Sequence, residues 1–321
     1  MKISAFCLTT NNIKKEFPFI ESIKSWLNIA DELIVIDGGS TDGTIEAIKA
    51  IGDDRIRIIS DESTKWEKDW YYSRLGKNFN RGLKECTGDL AFKFDCDFIL
   101  HESSYNLPDK NFKKDCKHIL DRQKLVAAFT RKNFVLIDRW FPKSLRTLGI
   151  NLFELKKRGM KIRYGIDLKK SGWSFEPIIP QKEENGIWFG HLLRSKENSV
   201  KIHCNIFNYD RIFNTAEVVK KIRLNYMLAS IRQYSLKYKY INQPVSTYTE
   251  KQLLENPEIV WGVYKKMVVG NYSKPQTPLT IEQHPKIIQD KVRNLKPEQM
   301  GYNSWGWLEE AGYGINKATY Y

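Results

Sequence analysis

Much that marks common folds is missing from this 321-residue chain. No window approaches the ~20 apolar residues that a membrane-crossing helix requires. In the opening "MKISAFCLTTNNIKKE" a single lysine precedes an apolar run too brief for the core of a secretory signal. Five cysteines (Cys7, Cys86, Cys96, Cys116, Cys204) are an odd number without a C-x-x-C pair, which removes the usual zinc and dithiol motifs and points to free thiols in a reducing compartment. No G-x-G-x-x-G follows the first strand-like run and no G-x-x-x-x-G-K-[ST] occurs anywhere, so dinucleotide oxidoreductases and P-loop kinases lose their main support. Internal repeats and low-complexity segments are absent too. The expectation is a soluble, cytoplasmic protein, with peripheral membrane contact as a further option.

What is present begins with charge. The chain carries a formal net charge of +14, so its partners are expected to be anionic: nucleic acid, an acidic membrane face or phosphorylated small molecules. The cations are scattered in pairs such as Lys14-Lys15, Lys113-Lys114, Lys169-Lys170 and Lys265-Lys266, which argues against a basic tail. With 41% hydrophobic residues, a chain of this length can fill the core of one large α/β domain or of a domain plus an extension.

The first half alternates two periods. Ile3 to Leu8, Glu32 to Asp37 and Ile56 to Ser60 are short apolar runs suited to buried strands. Between them Phe17, Ile20, Ile23, Leu27 and Ala30, and then Thr44 to Ile51, keep helical spacing. Trp70 to Cys86 reads as a further helix stopped by Thr87-Gly88-Asp89, and "LAFKFDCDFIL" (Leu90 to Leu100) as the next strand. This order predicts a mostly parallel sheet covered by helices on both faces. Beyond Leu100 a helix and strand are expected over His118 to Phe129, and strands over Asn133 to Ile137 and Val200 to Phe207. From Thr215 the pattern turns helical and basic. A boundary is placed near Asn208 to Asn214.

Parallel sheets bind ligands at the carboxyl ends of their strands. Three such ends are polar here: Thr9 to Asn12, Asp37 to Asp42, and Asp95-x-Asp97. In an extended segment Asp95 and Asp97 project together while Cys96 turns away. Their repulsion would be relieved by a hard divalent cation, Mg²⁺ or Mn²⁺, of the kind held between carboxylates and substrate phosphates. The loop Asp37 to Thr44 supplies glycines, Gly39 among them, where backbone must approach a ligand or take positive φ. A D-x-D alone also ends many strands in plain turns.

"ISAFCLTTNN", "ADELIVIDGGSTDGTIEAI" and "NRGLKECTGDLAFKFDCDF", in this order, resemble the nucleotide-sugar half of family 2 glycosyltransferases of GT-A fold, nearest in pattern to lipopolysaccharide-core-type members. The resemblance covers roughly Lys2 to Leu100. It departs from the commoner N-E at Asn11-Asn12, and Gly38 stands where a second aspartate is frequent. It implies an inverting, metal-dependent enzyme of hexosyltransferase type, with a nucleotide-diphosphate sugar as donor. A UDP-sugar is favoured and a GDP-sugar is the alternative; the acceptor would be a glycan or lipid-linked sugar, and no nucleic acid is expected.

Carried over residue by residue, Asp37 would accept from the nucleobase or ribose, with Thr9 and Asn11 lining that pocket and Gly39 beside them. Asp95 would touch ribose or metal, and Asp97 would hold the Mn²⁺ or Mg²⁺ that bridges the diphosphate. Lys77, Asn78 and Arg81 would meet the donor from the preceding helix, an exposed helix face being their plainer reading. "GWSFEPII" resembles the stretch that carries the general base, which makes Glu176 the first choice, with Asp167 and Asp210 in reserve and Glu183 and Glu184 read as a solvated loop. Trp173 suits a sugar face or the core. His203 stands where several GT-A enzymes place a third metal ligand; His191 and His101 are weaker rivals, and His118 and His284 have no claim.

With the boundary placed near Asn208 to Asn214, the chain is expected to divide into a GT-A catalytic domain over 1–210, with nucleotide-sugar-binding half 1–100 and acceptor half 101–210, and a mainly helical extension over 211–321. Over Thr215 to Tyr240, Val219, Ile222, Tyr226 and Ala229 form a stripe with Lys220, Lys221 and Arg223 off it. That fits a helix on an anionic membrane, or one packed on the catalytic domain with a solvated basic face. Two rival functions remain: a sugar-1-phosphate nucleotidyltransferase, which would need a glycine-rich loop after the first strand, and a non-catalytic basic protein binding nucleic acid or glycan.

Overall fold

A computed structural model describes residues 1–60, 72–105, 112–168, 175–184, 186–195, 197–202, 204–232 and 248–314. Strands β1 (Ile3–Thr9), β2 (Glu32–Asp37), β3 (Ile56–Ser60) and β4 (Leu90–Lys93) alternate with helices α1 (Phe19–Leu27), α2 (Thr44–Lys49) and α3 (Tyr72–Glu85). The four strands pair in parallel in the order β3-β2-β1-β4. β1, β2 and β4 are apolar and almost wholly buried, as expected where helices cover both faces. α1 turns Phe19, Ile23, Trp26 and Leu27 inward, and Trp26 stacks on Phe94 at 4.8 Å. α3 lies so close to β1 that a Cβ on Gly82 would stand 2.5 Å from the Phe6 ring.

The second half mixes antiparallel with parallel pairs where a mostly parallel sheet was expected. β6 (Val126–Phe134) and β7 (Arg139–Asn151) form a hairpin, and β7 runs antiparallel to β4. A connection as short as residues 135–138 can join only antiparallel neighbours. Of the strand expected over Asn133 to Ile137, only the first two residues lie in β6. The segment read as one strand over Val200 to Phe207 is two, β11 (Ser199–Lys201) and β12 (Ile206–Asn208). β12 lies between β6 and the short β5 (Phe98–Leu100), with Asn208 beside both Phe98 and Asn133. α4 (Phe112–Asp121) and α5 (Leu152–Lys157) complete this half. A small second sheet is formed by β8 (Arg163–Asp167), β9 (Glu176–Glu184) and β10 (Ile187–Leu192), each paired with the other two. The amide of Asn80 on α3 ties it to the main body, accepting from the Tyr164 N–H at 2.8 Å and donating to its carbonyl at 3.0 Å.

The last third is mainly helical: α6 (Ala216–Arg232), α7 (Glu250–Glu255) and α8 (Glu258–Tyr272), followed by short turns of helix. α7 starts at a capping box between Thr249 and Gln252. A two-residue strand, β13 (Thr277–Pro278), adds to β7. Buried Val219, Tyr264, Val268, Met300 and Trp307 pack against Val135, Leu136 and Phe141 of the hairpin. Among the described residues no helix is long and apolar enough to cross a membrane.

Candidate active site

The carboxyl ends of β1, β2 and β4 stand side by side because their registers align: Thr9 pairs with Asp37, and Phe6 with Lys93. After β1 the chain turns at Asn11, whose φ of 47° is a left-handed value that asparagine tolerates better than most residues. Its N–H donates to Ser40 Oγ at 2.9 Å, and its Oδ1 accepts from the Thr41 N–H at 2.7 Å. Asp37 accepts from the N–H groups of Gly39 and Ser40 at 3.1 and 3.0 Å, and from Ser40 Oγ at 2.5 Å. Gly39 takes φ 82°, as the loop chemistry required. Asn11 and Asp37 thus shape and join the two loops.

β4 stops at Lys93, so Asp95 and Asp97 sit in a turn rather than on an extended strand. The turn closes with the Phe98 N–H donating to Asp95 O at 2.9 Å, while Cys96 points inward with its thiol donating to Leu8 O at 3.1 Å. Lys93 is 6% exposed, and its ammonium lies 2.8 Å from Asp95 Oδ1 and 4.3 Å from the Phe79 ring centre. Part of the repulsion between the two aspartates is therefore offset by the chain's own cation. Among the described residues Asp97 has no cation so close. Burial, then Asp210 and Asp95, push its carboxyl up to about 8, against the opposing pull of Arg211 and Arg131.

These groups open on a cavity of about 490 Å³. Its acidic wall is Asp95, Asp97 and Asp210; its cations are Lys15, Lys93, Arg131, Arg211 and Arg223. Thr9, Thr10 and Asn12 line it from β1, Leu75 and Phe79 from α3, and Tyr226, Tyr264 and Met267 from the helical third. Asp210 and Arg211 follow β12 directly. The Tyr209 N–H donates to Asp97 O at 3.0 Å and the Asp210 N–H to Asn208 Oδ1 at 3.1 Å, which brings Asp210 beside the D-x-D turn. Asp210 is ion-paired with Arg211. The segment read as a boundary, Asn208 to Asn214, therefore supplies part of the cavity wall.

Of the residues singled out from the sequence, Thr9, Asp95, Asp97 and the reserve candidate Asp210 meet at this cavity, whereas Asn11, Asp37, Gly39, Lys77 and Arg81 are not in its wall. Lys77 is exposed and Arg81 half-buried on α3, and Asn78 is buried. Glu176 opens β9 and is absent from the wall, although its neighbour Phe175 belongs to it; its charge helps burial raise the Tyr164 phenol. Asp167 is buried at the end of β8. Glu183 and Glu184, expected in a loop, lie in β9, whose hairpin with β10 pairs Glu184 with Ile187. His203 and Trp173 lie outside the described residues. His101 stacks on Phe207 and His284 is buried against the Tyr209 hydroxyl at 2.8 Å, while His118 and His191 are exposed. Arg223, expected on a solvated face, instead turns to the cavity and lies 4.3 Å from the Tyr264 ring centre; Lys220 and Lys221 are exposed.

The sequence reading missed Lys93, Arg131, Arg211 and Arg223. Lys93 had a signal, a lysine in the middle of the buried run "LAFKF", where an unpaired charge is costly. The arginines reach the cavity through tertiary folding and had none.

Two carboxylates on one turn, with substrate phosphates as further oxygen donors, suit a hard divalent cation. Asp97, raised by burial and neighbouring acids, is a group that such a cation would relieve. Among the described residues no three His, Cys, Asp or Glu side chains gather as a metal site.

A search of curated proteins found no match. Among solved structures, S. aureus TarS 1-349 in complex with UDP is 14% identical, with 98% of this chain and 93% of that one covered and a TM-score of 0.38. The longer S. aureus TarS structure is also 14% identical at a TM-score of 0.38; 91% of this chain is covered, and this chain spans about half, 53%, of that one. Glucosyl-3-phosphoglycerate synthase from Mycobacterium tuberculosis, in complex with Mn²⁺ and UDP-glucose, is 24% identical over 40% of this chain and 43% of its own, at a TM-score of 0.29. Residues 18–107, from α1 through the D-x-D turn, match the family model described as glycosyl transferase family 2.

Proposed function

We propose that the protein is an inverting, metal-dependent glycosyltransferase that moves a hexosyl group from a nucleotide-diphosphate sugar, UDP-linked by first preference, to a hydroxyl acceptor. The observation that carries this reading is Asp97, an elevated carboxyl on the turn after β4 that faces a cationic cavity beside Asp210. Asp97, with Asp95, would hold Mn²⁺ or Mg²⁺, which supplies positive charge against the diphosphate as it leaves. Lys93 keeps Asp95 in place, and Arg131, 2% exposed, adds a fixed cation on the same wall.

The displacement needs a carboxylate to take the acceptor hydroxyl proton as the new bond to the anomeric carbon forms and the bond to the diphosphate breaks. Asp210 has the better claim, because it lines the cavity and Glu176 does not. The test is sugar transfer, or slow donor hydrolysis, with millimolar-range Mn²⁺ or Mg²⁺. Asp97→Ala is expected to abolish it. Asp210→Asn should lower turnover by about 10²- to 10⁴-fold with donor binding retained, whereas Glu176→Gln should leave turnover within about an order of magnitude. Full activity in EDTA would remove the metal role, and an active Asp210→Asn would return the base to Glu176.

A further inference from the structure

The cavity's charge is not balanced by its proposed donor. Five cations face three carboxylates across it. A nucleotide-sugar diphosphate and one divalent cation cancel each other, so the positive surplus persists when both are bound. Half of that surplus lies on the side built after β12, where Arg211 and Arg223 stand against Asp210. Arg211 adopts φ 68°, a left-handed value that an arginine rarely takes and that surrounding structure must enforce. Its guanidinium carbon lies 5.6 Å from the Tyr264 ring centre and that of Arg223 lies 4.3 Å from the same ring. Two like charges thus share one aromatic neighbour. Arg211 has Asp210 as an ion partner, yet the Nε atoms of both arginines are buried and find no acceptor among the described residues. Arginine forks buried with spare N–H groups match the oxygens of a phosphate.

We propose that Arg211 and Arg223, set around Tyr264, form a phosphate subsite for the acceptor, distinct from the place of the donor's diphosphate, so that the acceptor is a phosphorylated molecule. This rests on the transferase reading above. α6 and α8 thereby contribute a substrate-selecting wall to the cavity. The phosphate belongs to a monoester or to a diester, and the chemistry of the two guanidiniums is shared by both.

The test titrates inorganic phosphate calorimetrically into the full chain with saturating UDP and Mg²⁺ already bound. Phosphate is expected to bind alongside the nucleotide. Arg223→Gln should weaken it about tenfold or more, the scale of a lost charge-assisted hydrogen bond, with UDP affinity held within about twofold. Arg223→Lys, which keeps the charge but not the fork, should fall between the two and decides the matter if the glutamine variant does not fold. Glycerol 3-phosphate, a monoester, and glycerophosphocholine, a diester, are then tried as competitors. Displacement of inorganic phosphate by either supports the subsite and names its source, and displacement by neither overturns it. Mutual exclusion of phosphate and UDP would assign the arginines to the donor's diphosphate and overturn the proposal, as would unchanged phosphate binding in Arg223→Gln. If UDP fails to bind, the nucleotide-sugar reading falls, while the phosphate titration still reports on Arg223.

Discussion

Asp97→Asn is expected to stabilise the metal-free protein at alkaline pH, although it removes the residue on which metal binding is proposed to depend. The carboxyl stands at about 8 in the folded chain, against an ordinary value of 3.8. Between those values the unfolded chain has released a proton that the native state retains. Stability therefore falls as pH rises from about 4 to about 8, and is flat above. A gap of this size corresponds to a ceiling on the order of 5 kcal/mol. Asp97 shares its field with Asp95 and Asp210, and relaxation on ionisation reduces the realised cost to about 1–3 kcal/mol. Asparagine keeps the shape without the charge. At pH 8.5 in EDTA its melting temperature should exceed that of the native sequence by roughly 3–8 °C, converging near pH 5. Added Mn²⁺ should raise the native protein's melting temperature and leave the variant's unchanged. A native melting temperature that does not fall between pH 5 and 8 in EDTA, or a variant less stable at pH 8.5, would refute the account of the turn.

Three further outcomes bear on its surroundings. Asp95→Ala strands the buried Lys93 ammonium and should cost about 1–3 kcal/mol in urea unfolding, below the usual figure for a buried pair because the carboxylate is partly exposed; an unchanged midpoint would show that Lys93 is held by Phe79 alone. Gly82→Ala places a methyl group 2.5 Å from buried Phe6 and should cost about 1–3 kcal/mol, read in the same assay. His284 is held down to about 4 chiefly by burial, so the stability it adds is complete above about pH 6.5 and is lost as pH falls towards 4. The native protein should lose stability relative to His284→Asn across that window, and parallel curves would show that His284 does not titrate there.

The polar edge of the parallel sheet was legible because its rules are local. "ELIVID" followed by "GGSTDGT" is a buried strand and a turn in any context, and three such units in series fix a parallel sheet with its polar ends together. The D-x-D was found, but its geometry was misjudged: an extended strand was assumed, and the chain turns one residue after Phe94, so Asp97 is carried against β12. β7 went unanticipated because "RWFPKSLRTLGIN" has no clean alternation and contains Pro142, which sits uneasily in a strand interior. Arg131 and Arg223 could not be assigned from spacing. Arg223 shares its helix with exposed Lys220 and Lys221, and Arg131 is followed by Lys132, half-buried over Trp140 and Phe207; only tertiary packing turns Arg131 and Arg223 to the cavity.

That same packing argues against treating the helical third as an appendage. A division after residue 210 passes between Asp210 and Arg211, neighbours that are ion-paired to each other and line one cavity. The left-handed Arg211 is held inside a short turn in which the Ile212 N–H donates to Tyr209 O at 3.1 Å. Tyr209 also ties that turn to Asp97, and Gly301 of the last third donates to Ile212 O at 2.9 Å. The hydrogen-bonded path from the D-x-D turn to the final helices is therefore a few residues long. A parallel half alone would present Asp95 and Asp97 at an open sheet edge, screened by water; the segment that follows β12 covers part of that edge, leaves the carboxylates half-buried and faces them with arginine. In that partial enclosure charge complementarity is screened less than on an open surface and favours anionic ligands more strongly than the same residues would there.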